Sequence, residues 1–87
     1  EALAMNLITE IHHDPLARSI ALAERVASAA PLAVQAALHS AHQAFLHSPE
    51  AAFANLQNLL IPLLQSEDAQ EGVMAMLQRR APEFKGK

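Results

Sequence analysis

Apolar residues recur along most of this chain at the three- and four-residue spacing of amphipathic helices. The pattern favours four helices. Each begins at a capping residue or a proline: Asp14-Pro15, Pro31, Ser48-Pro49 and Ser66. Asp68 is a rival cap for the fourth helix, because Asp68 and Glu71 have the spacing of a capping box. We expect that helix to turn Val73 and Leu77 inward and to stop before Pro82.

A proline lies inside the third predicted helix. Pro62 has no N–H to donate to the carbonyl of Asn58. The sequence therefore predicts either a kink at Pro62 or a helix that starts again there.

The first thirteen residues differ from the rest. Asn6 has the residue type that most readily adopts the left-handed conformation after glycine, so the start of the chain is predicted to be a helix end. A short strand is predicted from Leu7 to Ile11, although a lone strand in a helical chain has no partner for its backbone groups. We expect two parts, residues 1–13 and a helical domain over residues 14–87. The predicted fold class is all-α, with three to four helices and a short extended segment at the start.

Composition excludes several classes of function. The chain has 87 residues, 52% of them hydrophobic, with two glycines and no cysteine, so neither a disulfide nor a thiolate metal site can form. Net charge is −3, divided between −6 over residues 1–78 (two basic, eight acidic) and +3 over residues 79–87 (four basic, one acidic). This acidic body argues against nucleic-acid binding. Without an apolar run of about 18 residues or a signal peptide, we expect no membrane association and a cytoplasmic location.

The sequence gives little indication of a metal site or of a catalytic group. His39 and His42 are three residues apart on one helical face, but nothing supplies the further ligands of a metal site, so none is predicted. No grouping for nucleophilic catalysis and no glycine-rich phosphate loop is present. Many of the apolar positions are alanine, and the larger residues exceed what one face can bury. We expect several of these to face another domain or subunit: Phe45, Phe53, Leu59, Leu60, Ile61 and Leu64.

The ending SEDAQEGVMAMLQRRAPEFKGK resembles the C-terminal signature of the crotonase (enoyl-CoA hydratase/isomerase) superfamily. The matching positions are Ser66, Asp68, Glu71, Gly72, Val73, Ala75, Arg79, Arg80, Pro82, Phe84 and Gly86. IALAERVASAAPLAVQAA resembles the preceding helix pair of that family. EALAMNLITEI resembles the segment that ends its catalytic core, with Asn6 where glycine is usual.

The resemblance implies that this segment is the C-terminal domain that assembles subunits and covers the acyl-CoA site of an enoyl-CoA hydratase/isomerase, and that it is inactive alone. Crotonase enzymes bind acyl-CoA thioesters in an N-terminal core whose catalytic groups have no counterpart here, so no catalytic residue is predicted in this chain. Beginning at Glu1 rather than Met, it reads as part of a longer polypeptide. The expected partners are that core and neighbouring subunits of a trimer or hexamer. By resemblance, Met76 would lie at the CoA adenine and Arg79 at the CoA phosphates. The alternative is a free-standing helical protein-interaction module. The reaction itself is left open.

Overall fold

The computed structural model describes all of residues 1–87 and contains five α-helices and no β-strand. The helices are α1 Pro15–Ala27, α2 Pro31–Leu46, α3 Pro49–Ala54, α4 Leu56–Leu64 and α5 Glu67–Gln78. The predicted all-α fold class is confirmed. The third predicted helix is present as two consecutive segments, α3 and α4.

Each predicted helix start is found where its capping residue or proline lies. Pro15, Pro31 and Pro49 each occupy the first turn of a helix, where the missing N–H costs nothing. The Ser66 hydroxyl accepts the backbone N–H of Ala69 at 3.1 Å and so caps α5. The rival interpretation, in which Asp68 caps α5, is wrong.

The interruption in the third predicted helix lies at Asn55 rather than at Pro62. Helix α4 continues past Pro62 to Leu64, because the proline removes only one backbone hydrogen bond. Asn55 instead separates α3 from α4, and its side-chain amide donates to Gln43 of α2 at 3.3 Å. It also accepts a hydrogen bond from Asn58 at 3.0 Å. The predicted restart at Pro62 is therefore wrong.

The chain begins with a short helical turn that ends at Asn6. Asn6 has φ of 60°, and the N–H groups of Asn6 and Leu7 donate to the carbonyls of Leu3 at 3.2 Å and Ala2 at 3.0 Å. This is the Schellman pattern that the asparagine predicted. The strand predicted from Leu7 to Ile11 is wrong: the segment forms bends, since no second strand is present to pair with it.

The helices pack as a thin layer with almost no interior. Helix α2 packs on α3 and α4, and α4 packs on α5, whereas α1 has no comparable contact with another helix. Only Ala52, Asp68 and Ala75 are buried. Val73 and Leu77, which were expected to point inward, are 54% and 71% exposed, so that prediction is wrong. The buried residues of α5 are Asp68 and Ala75 instead.

The molecule is flat and has an unusually large surface. It measures 44 × 35 × 17 Å with a radius of gyration of 16.4 Å, against about 12 Å for a compact domain of this length. Its accessible surface is 7230 Å², whereas a compact monomer of 9.4 kDa exposes about 5,000 Å². Several of six large residues were expected to face another domain or subunit; five of the six are exposed, and Leu59 is half-buried. No helix is both long enough and apolar enough to cross a lipid bilayer.

Candidate functional site

The two predicted site residues lie together at the C-terminal end of α5. Met76 is in the last turn and is 72% exposed. Arg79 follows the helix, and its backbone N–H donates to the Met76 carbonyl at 3.2 Å. The N–H of Arg80 donates to the carbonyl of Ala75 at 3.0 Å, which completes a second Schellman motif. Both side chains are exposed at the end of α5.

Arg79 occupies a backbone conformation that suits glycine better. Its φ is 53° and its ψ is 45°, in the left-handed region. That region costs a residue with a Cβ about 1 kcal/mol or more. A helix that ends in this way usually has glycine or asparagine at the position. Position 79 therefore carries arginine although the backbone there favours glycine. This points to a use for the arginine side chain.

The two neighbouring arginines differ in what their guanidinium groups contact. Arg80 binds the carboxylate of Glu71 with both terminal nitrogens and donates through Nε to Gln78 at 2.7 Å. Arg79 forms no side-chain hydrogen bond and no ion pair; the chain's ion pairs are Arg18–Glu10 and Arg80–Glu71. The charge of Arg80 is satisfied within the molecule, and that of Arg79 remains open to an anion from outside.

Residues 81–87 form a C-terminal strap that runs back along α5. The carboxylate of Asp68, which is 3% exposed, accepts the backbone N–H groups of Lys85 at 2.7 Å and Gly86 at 2.8 Å. The N–H of Asp68 in turn donates to the carbonyl of Lys87 at 3.1 Å. A buried carboxylate with two N–H donors is satisfied without a cation. Asp68 therefore fixes the far end of the strap.

Glu71 fixes the near end of the strap. Besides the Arg80 guanidinium, it accepts the backbone N–H of Glu83 at 2.9 Å. The hydrogen bonds from Arg80 and then from Glu83 lower the pKa of Glu71 from 4.5 to about 2. The Glu71 carboxylate is thus held in its charged form by the turn that follows Arg79.

The strap also contacts two other parts of the fold. Phe84 is half-buried and lies beside Gly72 of α5, where an added Cβ would be 3.8 Å from the phenyl ring. Gly86 has φ of +76°, which only glycine adopts without strain, and lies beside Pro31 at the start of α2. The strap therefore connects the end of α5 to the beginning of α2.

Sequence reasoning found Asp68 and Glu71 but gave them the wrong role. Their spacing matches a capping box, yet Ser66 makes the cap and both carboxylates hold the strap. The available signal was Gly86, a residue type that permits the positive φ found in the strap. The spacing rule for a cap was satisfied locally, so the longer-range partners were missed.

An apolar groove runs between α2 and α4. Its volume is about 520 Å³, and nine of its ten lining residues are hydrophobic. The α2 side is alanine-rich and the α4 side is leucine-rich, as in Ala37 and Leu60. His39, His42 and His47 lie around a separate hollow of about 220 Å³ near the end of α2. No three His, Asp or Glu side chains of the chain are arranged to hold a metal ion.

Comparison with known proteins identifies the fold. The chain is 34% identical over 89 residues to 2,3-dehydroadipyl-CoA hydratase of Escherichia coli, a match that spans 100% of this chain and 35% of that protein. It is likewise 34% identical to enoyl-CoA hydratase EchA19 of Mycobacterium tuberculosis, over 100% of this chain and 34% of the relative. A crystal structure of a probable enoyl-CoA hydratase/isomerase from Mycobacterium abscessus superposes with a TM-score of 0.92 at 36% identity, covering 99% of this chain and 34% of that one.

By sequence and by superposition, this chain is similar to a helical segment of enoyl-CoA hydratases, which are crotonase-family enzymes. The resemblance noted in the sequence is thus confirmed by similarity along the chain and by the superposition. No protein-family model matches it. The chain spans about a third of the length of the curated relatives that it matches.

Proposed function

We propose that this chain is the C-terminal helical domain of an enoyl-CoA hydratase/isomerase, where it covers the acyl-CoA site and helps to assemble subunits. The observation that carries the proposal is the uncovered apolar surface. The chain exposes about 2,200 Å² more than a compact monomer of its mass, and twenty large apolar residues are exposed. Monomeric proteins rarely leave so much apolar surface in contact with water.

The proposed partners are the N-terminal crotonase core and neighbouring subunits. The curated relatives have about twice as much chain outside the matched segment as within it. A core of that length is large enough to cover the exposed apolar faces of this chain. Obligate interfaces bury about 2,000 Å² or more in total, about half of it from each partner, so the excess surface of this chain is large enough for such an interface. The free-standing interaction module is the competing function, and it requires the chain to be stable as a monomer.

The oligomeric state of the isolated 87-residue chain separates these two functions. With its apolar faces uncovered, the chain is expected to self-associate at tens of micromolar, with an apparent mass in light scattering that rises with concentration. Phe45→Ser and Phe53→Ser, at side chains 87% and 79% exposed, should reduce this association, whereas His39→Ser on the polar surface of α2 should not. A monodisperse monomer over that range would contradict the assembly role.

The proposed ligand of Arg79 is a phosphate of coenzyme A, the thioester carrier named for both curated relatives. An open guanidinium at a helix end can bind phosphate through two parallel hydrogen bonds. Met76, in the preceding turn, would pack against the adenine ring. Both residues act in binding, and the chemistry of the reaction belongs to residues outside this chain.

Arg79→Ala tests the phosphate contact in the full-length enzyme. Loss of a charge-assisted hydrogen bond should weaken CoA binding about tenfold or more while leaving 3′-dephospho-CoA binding unchanged, as measured by titration calorimetry. Arg25→Ala is the matched control, because Arg25 is an exposed arginine in the last turn of α1. Equal weakening of both ligands by Arg79→Ala would refute the contact with the ribose phosphate.

A further inference from the structure

The backbone at Arg79 is held in place by contacts made elsewhere. In the left-handed conformation a residue with a Cβ is strained, so it persists only where its surroundings enforce it. On one side of Arg79 lies α5, whose last turn fixes Met76 and Ala75. On the other side lies the strap, whose attachments are the carboxylates of Asp68 and Glu71.

The two attachments act at different distances from Arg79. Glu71 binds the guanidinium of Arg80, the residue after Arg79, and also accepts the N–H of Glu83. Glu71 therefore closes the turn directly. Asp68 is one helical turn farther from the end of α5 and holds Lys85 and Gly86. Together they tie the strap at both ends, so the reversal at Arg79 cannot relax without breaking several hydrogen bonds.

Neither carboxylate is engaged by any cation other than Arg80. The guanidinium of Arg80 is bound to Glu71, which keeps this acid from pairing with Arg79. Asp68 uses both oxygens on backbone N–H groups and is shielded from solvent. The strap thus orients Arg79 without neutralising its charge, as a phosphate-binding guanidinium requires.

We propose that Asp68 and Glu71 are positioning residues for CoA binding: they hold the strap so that Arg79 keeps its left-handed backbone and presents its guanidinium to a CoA phosphate. This inference rests on the proposed function of Arg79. The two acidic residues do not contact the phosphate themselves, because their negative charges would repel it. Their effect is transmitted through the backbone that they fix.

The test uses the full-length enzyme with Asp68→Asn and Glu71→Gln. Asparagine turns an NH₂ group toward one of the two N–H groups that Asp68 accepts, and glutamine removes the charge that binds Arg80. Each variant is expected to raise KM for the CoA thioester about tenfold, the loss of one charge-assisted contact, with kcat unchanged. KM for the corresponding pantetheine thioester, which lacks the nucleotide, should not change. Glu67→Gln, an exposed acid in the same turn as Asp68, is the matched control.

Combination with Arg79→Ala shows whether the residues act through one contact. If Asp68 positions Arg79, the double variant Asp68→Asn with Arg79→Ala should bind CoA no more weakly than Arg79→Ala alone. Additive losses would overturn the inference, as would equal increases in KM for CoA and pantetheine thioesters. Should Asp68→Asn fail to fold, Glu71→Gln decides, because the partly exposed Glu71 leaves no buried group behind.

The outcome also separates this inference from the proposed function. If Arg79→Ala has no effect on the preference for CoA over pantetheine, the phosphate contact itself is refuted. If Arg79→Ala abolishes that preference but Asp68→Asn and Glu71→Gln retain it, the contact stands and the positioning role is overturned.

Discussion

Asp68 and Glu71 lie one turn apart on α5 and bind the same strap, but they stabilise their charges differently. Asp68 is buried and relies on two backbone N–H groups. Glu71 is partly exposed and relies first on the Arg80 guanidinium and then on the N–H of Glu83. The hydrogen bonds from Arg80 and Glu83 favour the charged form of Glu71, so protonation of Glu71 opposes these contacts.

Acid should release the near end of the strap. Because the pKa of Glu71 is lowered from 4.5 to about 2, its contribution to stability is fully present above pH 4.5 and is lost as the pH falls toward 2. The chain should therefore lose stability relative to Glu71→Gln over this interval, measured by urea unfolding at successive pH values. Carboxyl chemical shifts in NMR should place the Glu71 midpoint near 2. A midpoint at or above 4.5 would show that the contacts with Arg80 and Glu83 are absent in solution.

The two left-handed residues show what sequence can indicate at single positions. Asn6 was predicted to reverse the chain because asparagine tolerates this conformation, and its φ of 60° agrees. Arg79 has nearly the same backbone geometry, but arginine carries no such preference. The chain beyond Arg79 is held by carboxylates eight and eleven residues earlier in the sequence, and no local propensity indicates these contacts.

At the scale of helices and strands, the sequence predicted those features that depend on interactions within one helical turn. Proline and serine start signals located the helices because they act within one turn. The break at Asn55 was missed because it depends on a side-chain hydrogen bond to Gln43 in another helix. The predicted strand at Leu7–Ile11 is absent for the converse reason: a short segment forms a stable strand only where a second strand is present to pair with it. Inward residues of α5 were misjudged because apolar periodicity does not show which surface covers them.

At the scale of the whole molecule, the chain is a layer of helices with surface on both sides. Three buried residues are too few for a hydrophobic core, and the thin dimension of 17 Å is about that of two helices in contact. An unfolding chain of this mass would expose about 13,600 Å². With a folded surface of 7230 Å², the chain buries on folding about three-quarters of the surface that a compact domain of this mass would bury.

The urea dependence of unfolding should report this missing core. The m-value scales with the surface exposed on unfolding, so at about 1 µM, where association is weakest, it should be about three-quarters of that for a compact domain of 87 residues. At about 100 µM, copies that cover one another's apolar faces bury more surface in the native state, and both the m-value and the midpoint should rise. Circular dichroism at 222 nm measures both. An m-value of full size that does not change with concentration would mean that the chain closes its own apolar faces, and that the surface proposed to receive the crotonase core does not exist in solution.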